Sequence, residues 1–222
     1  MGLIIKDPPT CWLGDNEPAV WRDIPCAIIS DELNRAPVMH AEISLISLNA
    51  ARFAGHALTV DCMVGSNIAI HYALERAWPG CVIVVDGRGH KDTALIGEIM
   101  YETARTAKVG AIVIDGSVRD IACLRAGDLP IYARGFTPRG PHKGFGGEIN
   151  GPIQCGGVAI SAGDLLVGDD DGVVVIRKDQ VEAGLMERCR KRMADEAERI
   201  RRIKAGENRY AFNPLPPPEK ID

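Results

Sequence analysis

Short apolar runs recur along this chain, bounded by Gly, Asp and Pro, and alternate with stretches whose apolar residues fall three and four apart. Runs of the first kind read as buried strands and stretches of the second kind as amphipathic helices. The pattern predicts strands at Leu58 to Met63, Val82 to Val85, Ala111 to Ile114 and Leu129 to Ala133. It predicts helices from Gly65-Ser66-Asn67 to Leu74, from Gly97 with Ile99, Met100, Thr103, Ala104 and Ala107 on one face, and at Ile121 to Ala126. Gly110 is placed to end the second helix, and Asp86-Gly87-Arg88-Gly89 and Asp115-Gly116 read as turns.

Beyond residue 150 the period changes. Short strands are expected at Gln154-Cys155, Val158 to Ile160, Leu165 to Val167 and Val173 to Ile176, with Asp169-Asp170-Asp171-Gly172 as a tight hairpin turn. Asp179, with Glu182 three residues on, is expected to cap a last helix reaching about Ala205, stopped by Gly206. The domain reading is an N-terminal arm over 1–23, one domain over 24–206 and a Pro-rich tail over 207–222. The arm is expected to be irregular, Ser30-Asp31 to cap a short helix, and residues 135–151 to form a glycine-rich active-site flap or surface loop.

Composition narrows the class. The chain has 222 residues, 46% hydrophobic and 25% charged, with net charge −4, so general affinity for nucleic acid or anionic membrane is not implied. No apolar run is long enough to span a bilayer, and the start MGLIIKDPPT lacks a secretory or myristoylation signal. Seven scattered cysteines without a C-x-x-C read as buried reduced thiols of a cytoplasmic protein. Asp92 stands where a dinucleotide fingerprint needs its third glycine; P-loop, EF-hand, H-E-x-x-H and G-x-S-x-G patterns also fail.

The chemistry concentrates in GEIMYETARTAKVGAIVIDGSVRD, residues 97–120. The amides from Gly97 to Met100 lie at a predicted helix start, which suits a carboxylate or phosphate. A helix packed back on its strands would bring Glu98 to Arg119-Asp120. An acid, a guanidinium and exposed amides would then share one mouth, suited to a metal ion and a small anion. On spacing alone, the Arg-Asp pair also fits a surface ion pair or a helix start.

ISDEL (29–33), VGSNIAI (64–70), PGCVIVVDG (79–87), the 97–120 stretch, ARGFTPRGP (133–141) and GGVAISAGDLLVGDDDGVVVI (156–176) occur in one order. In these stretches the chain resembles the family of 4-hydroxy-4-methyl-2-oxoglutarate / 4-carboxy-4-hydroxy-2-oxoadipate aldolases and RraA-type ribonuclease regulators. The family's aldolases carry an acid, twenty residues, then Arg-Asp; Glu98, Arg119 and Asp120 fill those places here, with Glu where Asp is commoner. Regulatory members tend to lose the metal-site acid, which this chain keeps.

The resemblance implies an α/β fold, a swivelling β/β/α sandwich with a C-terminal helix, assembled as a homotrimer or homohexamer. It implies that Asp120 holds Mg²⁺ or Mn²⁺, that Arg119 touches the keto oxygen and carboxylate of a 2-keto acid, and that Gly97, Glu98, Ile99 and Met100 hold that carboxylate. Glu98 would order water and Asn67 would line the pocket. Asp31, Glu32, Asp195 and Glu196 are candidates for acids lent by a neighbouring subunit. The implied activity is cleavage of a 4-hydroxy-2-keto diacid to pyruvate and a keto acid, with oxaloacetate decarboxylation through the same enolate. The alternatives are a ribonuclease-binding regulator or a lyase for another keto acid. Arg139, His142 and Lys143 could grip a far carboxylate or simply be solvated loop charges.

Overall fold

The computed structural model describes residues 2–14, 17–50 and 52–217. The first half runs β1 (Leu3–Ile5), α1 (Glu17–Trp21), α2 (Cys26–Glu32), β2 (Ser44–Leu45), β3 (Phe53–Cys62), α3 (Ile68–Leu74), β4 (Val82–Ile96) and α4 (Glu98–Thr106). Then follow β5 (Ala111–Val118), α5 (Ile121–Ala126), β6 (Ile131–Phe136), β7 (Gly147–Ile149), β8 (Ile153–Cys155), β9 (Val158–Ile160), β10 (Leu165–Asp169) and β11 (Gly172–Ile176). The chain closes with α6 (Lys178–Glu182), α7 (Leu185–Lys204) and α8 (Arg209–Phe212).

Strands β3, β4, β5 and β6 pair in parallel, joined by α3, α4 and α5 as crossovers. The full sheet order is β1-β7-β3-β4-β5-β6-β2, and β10 extends it by pairing antiparallel to the start of β3. Both faces of the parallel strands are buried, which is why they read as unbroken apolar runs. One face, with Ile83, Val85, Ile112 and Ile114, packs on Ile70, Met100, Ala104 and Leu124 of the three crossover helices. The other, with Val82, Val84, Val113 and Tyr132, packs on Ile153, Ile160, Val173 and Val175 of the later strands. A third core joins Leu165, Val167, Val174 and Ile176 to Ile28 and Ile29 of α2 and Leu185 and Cys189 of α7. The result is an α/β sandwich with a further helical layer.

Several elements depart from expectation. β4 does not stop at Asp86; Arg88 and Gly89 take left-handed conformations (φ 61° and 66°), and the strand continues through register shifts to Ile96. β5 likewise runs through Asp115-Gly116, because Asp115 is buried and paired: Arg134 binds its carboxylate and the Gly156 amide donates to Oδ2 at 2.7 Å. α4 ends at Thr106, with Lys108 rather than Gly110 in the left-handed turn (φ 57°). Its buried face is Met100, Tyr101 and Ala104, while Ile99 is 79% exposed, since the Tyr101 hydroxyl anchors the helix to the Asp128 and Leu129 amides.

Among the described residues of the first 23, Leu3–Ile5 form β1, paired with β7, and Glu17–Trp21 form α1, with Trp21 buried, while residues 6–14 between them are irregular as expected. Ser30 and Asp31 lie inside α2, behind Pro25, and do not cap it. The last helix is split, with α6 started by Arg177, whose amide donates to Gln180 Oε1 at 2.8 Å, and α7 begun after Gly184 in a left-handed turn. Asp179 is therefore a first-turn residue and not the cap. The expected stop at Gly206 is borne out (φ 86°). The tail folds into α8 over Arg209–Phe212, and residues 218–222 lie outside the described residues. Cys26, Cys62, Cys81, Cys155 and Cys189 are buried thiols; Cys11 is exposed and Cys123 half-buried.

Candidate active site

Three successive parallel strands deliver their C-terminal ends to one edge of the sheet. β3 leads to Asn67, β4 to Gly97 and β5 to Arg119-Asp120. Ligands of parallel α/β sheets collect at such carboxyl ends. The Arg119 amide donates to the Ile96 carbonyl at 3.0 Å and locks the ends of β4 and β5 together.

Asp120 occupies the left-handed region (φ 56°, ψ 43°), which a non-glycine residue adopts only when its surroundings hold it there. Its carbonyl receives the first amides of α5, from Cys123 and Leu124. Its carboxylate turns away from that helix: Oδ2 accepts the Glu98 amide at 2.9 Å and lies 3.7 Å from Arg119 Nε. The twenty-residue separation is thus closed, because α4 folds back along the strands. Two glycines keep the space open. A β-carbon on Gly97 would collide with Asp120 Oδ2 and come within 3.0 Å of Arg119 Nε, and one on Gly140 would come within 2.8 Å of Arg119 Nη1.

A cavity of about 180 Å³ adjoins this pair, lined by Asn67, His71, Gly97, Ile99, Met100, Arg119, Gly140 and Lys143 among others. The helix start leaves its first amides without intrahelical acceptors. That of Glu98 is engaged by Asp120, where the resemblance had it hold a substrate carboxylate; Gly97, Ile99 and Met100 are residues of the lining. The Glu98 side chain is exposed and turns toward α5. There the Cys123 thiol is pushed up, first by burial and then by the charge and hydrogen bond of Glu98.

Asn67 precedes α3 yet does not cap it with its side chain. Its Nδ2 donates to the Leu95 carbonyl at 2.9 Å, and its Oδ1 is buried without a donor. The glycine-rich loop is tied down. His142 N donates to Gly65 O at 2.8 Å, Asn67 N to His142 O at 3.1 Å, Ser66 Oγ to Phe145 O at 3.1 Å and Ala94 N to Arg139 O at 2.9 Å. It forms a wall of the cavity and contributes Lys143, whereas Arg139 and His142 are outside the lining. His71 is the residue that sequence reading missed. Its signal was present: it follows Asn67 by four positions, one helical turn on the same face. Burial first, then the Lys143 charge, push its imidazole below the ordinary histidine range.

A family model described as RraA-like, Aldolase/RraA, matches residues 26–175. The chain belongs to the RraA-like family. A Halalkalibacterium halodurans protein named "Putative 4-hydroxy-4-methyl-2-oxoglutarate aldolase" is 39% identical over 183 residues, 82% of this chain and 86% of that protein. An uncharacterized protein from Pseudomonas syringae pv. tomato shares the fold at 24% identity, with a TM-score of 0.76 over 93% of this chain and 98% of its own. The RNA-processing inhibitor RraA from Thermus thermophilis is 28% identical, with a TM-score of 0.64 over 69% of this chain and 93% of its own.

The donor set of this RraA-like site fits a hard divalent cation. Asp120 presents a half-exposed carboxylate whose Oδ1 meets no donor among the described residues, beside the guanidinium of Arg119. Among the described residues no group of three or more His, Cys, Asp or Glu converges. Mg²⁺ does not require one, since it keeps several waters and accepts one or two carboxylates. Asp31, Glu32 and Glu196 are held by Arg192 between α2 and α7, at 2.5, 3.2 and 3.3 Å. Asp195 lines a groove beside them, so within one chain these acids belong to the outer helical layer. No helix among the described residues is long and apolar enough to cross a membrane.

Proposed function

We propose that this RraA-like protein is a divalent-metal-dependent pyruvate aldolase that cleaves a 4-hydroxy-2-keto diacid to pyruvate and a second keto acid. The observation that carries this reading is the convergence of Asp120, Arg119 and the start of α4: the Glu98 amide donates to Asp120, and Arg119 lies beside Asp120 and lines the cavity together with Gly97. The name of the Halalkalibacterium relative supports the same substrate class.

Asp120 would hold Mg²⁺ or Mn²⁺, which supplies Lewis-acid polarisation of the 2-keto group when bound. Arg119 pairs with the keto acid's carboxylate and faces the oxygen on which negative charge grows. The Ile99 and Met100 amides receive the same carboxylate. In the cleavage the 4-hydroxyl loses its proton and becomes the carbonyl of the departing keto acid. The C3–C4 bond breaks, its electron pair passes to the pyruvate enolate, and C3 takes up a proton. Glu98, whose side chain is exposed on the α5 side of the site, would position the water that accepts the hydroxyl proton; such help is worth roughly 10²–10⁴ in rate. Oxaloacetate decarboxylation forms the same enolate with CO₂ as the leaving part, and no lysine Schiff base is required. The working form is a homotrimer or homohexamer.

Pyruvate release, coupled to lactate dehydrogenase, tests the reading with Mg²⁺, with Mn²⁺ and after chelation, on 4-hydroxy-4-methyl-2-oxoglutarate and oxaloacetate. Chelator-sensitive release lost in Asp120→Ala is expected. No release from either compound overturns it. The likeness to the Thermus inhibitor favours a second reading, a protein-binding regulator. That reading predicts a ribonuclease complex which Asp120→Ala leaves intact.

A further inference from the structure

The catalytic reading leaves two buried polar atoms without work. Asn67 is 3% exposed; its Nδ2 is satisfied by the Leu95 carbonyl and approaches the Met100 sulfur at 3.3 Å, but Oδ1 has no donor. One turn along α3, on the same helix face, His71 Nε2 is also shut off from solvent without a partner. A buried polar atom left unpaired forfeits its hydration without a hydrogen bond in return. Asn67 and His71, which carry them, both line the cavity that holds Arg119, and there a ligand with matching groups would satisfy them. Lys143 completes that part of the lining, held there by the hydrogen bonds of its neighbour His142 to Gly65 and Asn67.

The chemistry of these atoms is specific. Asn67 Oδ1 can only accept, so it suits a hydroxyl. A neutral imidazole with its proton on Nε2 donates to an oxygen without repelling the lysine beside it. Lys143 adds a cation that a carboxylate would neutralise.

We propose that His71 and Lys143 form a second anion pocket of this site, which binds the far carboxylate of the substrate and selects diacids over keto acids with a neutral tail. In this arrangement the 4-hydroxyl lies against Asn67 Oδ1, between the pyruvyl end at Arg119 and the distal carboxylate. The proposal rests on the aldolase reading above.

The test compares kcat/KM for 4-hydroxy-4-methyl-2-oxoglutarate with that for 4-hydroxy-4-methyl-2-oxopentanoate, in which a methyl replaces the distal carboxylate. The unmodified protein is expected to prefer the diacid by at least about 100-fold, since a site built to hydrogen-bond a group rejects the analogue lacking it. His71→Ala and Lys143→Ala should each cut that ratio by about tenfold or more. His71→Gln, which keeps an N–H of similar reach, should restore part of it. Lys143 is exposed, so its variant tests the pocket even if His71→Ala folds poorly. Equal loss on both substrates, or an unchanged ratio in the variants, overturns the pocket. A ratio near one in the unmodified protein overturns the pocket alone. Release from neither compound overturns the aldolase reading and the pocket with it.

Discussion

At the scale of single residues, the site depends on what is missing as much as on what is present. Gly97 has an extended backbone that any residue adopts (φ −148°), yet the space for its β-carbon is already filled by Asp120 and Arg119. Gly97→Ala should therefore lower turnover by about 100-fold or more, the scale on which a misplacement of about 1 Å is felt in catalysis. Its thermal unfolding should shift by only a few degrees; normal pyruvate release in this variant would remove the packing argument. Asp120→Ala should abolish metal-dependent release and leave the far-UV circular dichroism unchanged, because the half-exposed carboxylate bonds only the Glu98 amide and the neighbouring guanidinium. Arg119→Lys keeps the charge but loses the planar fork, so kcat/KM should fall by at least about tenfold. These residues were legible early, because Gly-Glu and Arg-Asp flank a helix and a strand of ordinary length. His71 was not, since a histidine four positions after an asparagine gains meaning only when a cavity is seen beside both.

At the scale of elements, the strands and helices of the parallel sheet were readable from their apolar runs, and their ends were not. Asp86-Gly87 and Asp115-Gly116 have the composition of turns but lie within strands, because tertiary partners satisfy their polar groups: the Arg88 amide on Asp86 Oδ1 at 2.9 Å, and Arg134 with the Gly156 amide on Asp115. Arg134 and Asp115 are 10% and 5% exposed at their side chains. Breaking such a pair strands a buried charge, so Arg134→Met should cost about 3–5 kcal/mol, measured by urea unfolding. The N-terminal arm is fastened by another polar contact. His56 Nδ1 donates to Gly163 O at 2.8 Å, which leaves Nε2 unprotonated to accept the Leu13 amide at 3.4 Å, with Trp12 edge-on to the ring. Burial pushes His56 below its ordinary value of 6.5. The unfolded chain therefore takes up this proton first, and the contribution is whole above pH 6.5 and lost as the pH falls below it. Between pH 7 and pH 5 the urea midpoint should drop more in the unmodified protein than in His56→Gln; equal slopes would show that the clamp does not titrate.

At the scale of the whole molecule, three apolar cores stack between helices, sheet, hairpin strands and a second helical layer, and none of them includes Asp120 or Glu98. Removal of the metal should accordingly stop turnover with little loss of fold, checked by thermal unfolding before and after chelation. A large fall in Tm on chelation would point to a structural ion instead. Through its resemblance the sequence pointed to the α/β class and the family, and by itself it determined the order of the central elements and the spacing of Glu98, Arg119 and Asp120. Those follow from local spacing: period two or unbroken burial for strands, period 3.6 for helices, and short motifs at helix starts. Tertiary structure alone decided that the Glu98 amide serves Asp120, that the glycine-rich loop is a wall, that residues 3–5 join the sheet, and that Asn67 and His71 face one cavity. Each of these joins positions far apart in the chain, and whether a polar atom finds a partner there depends on packing that no local pattern records.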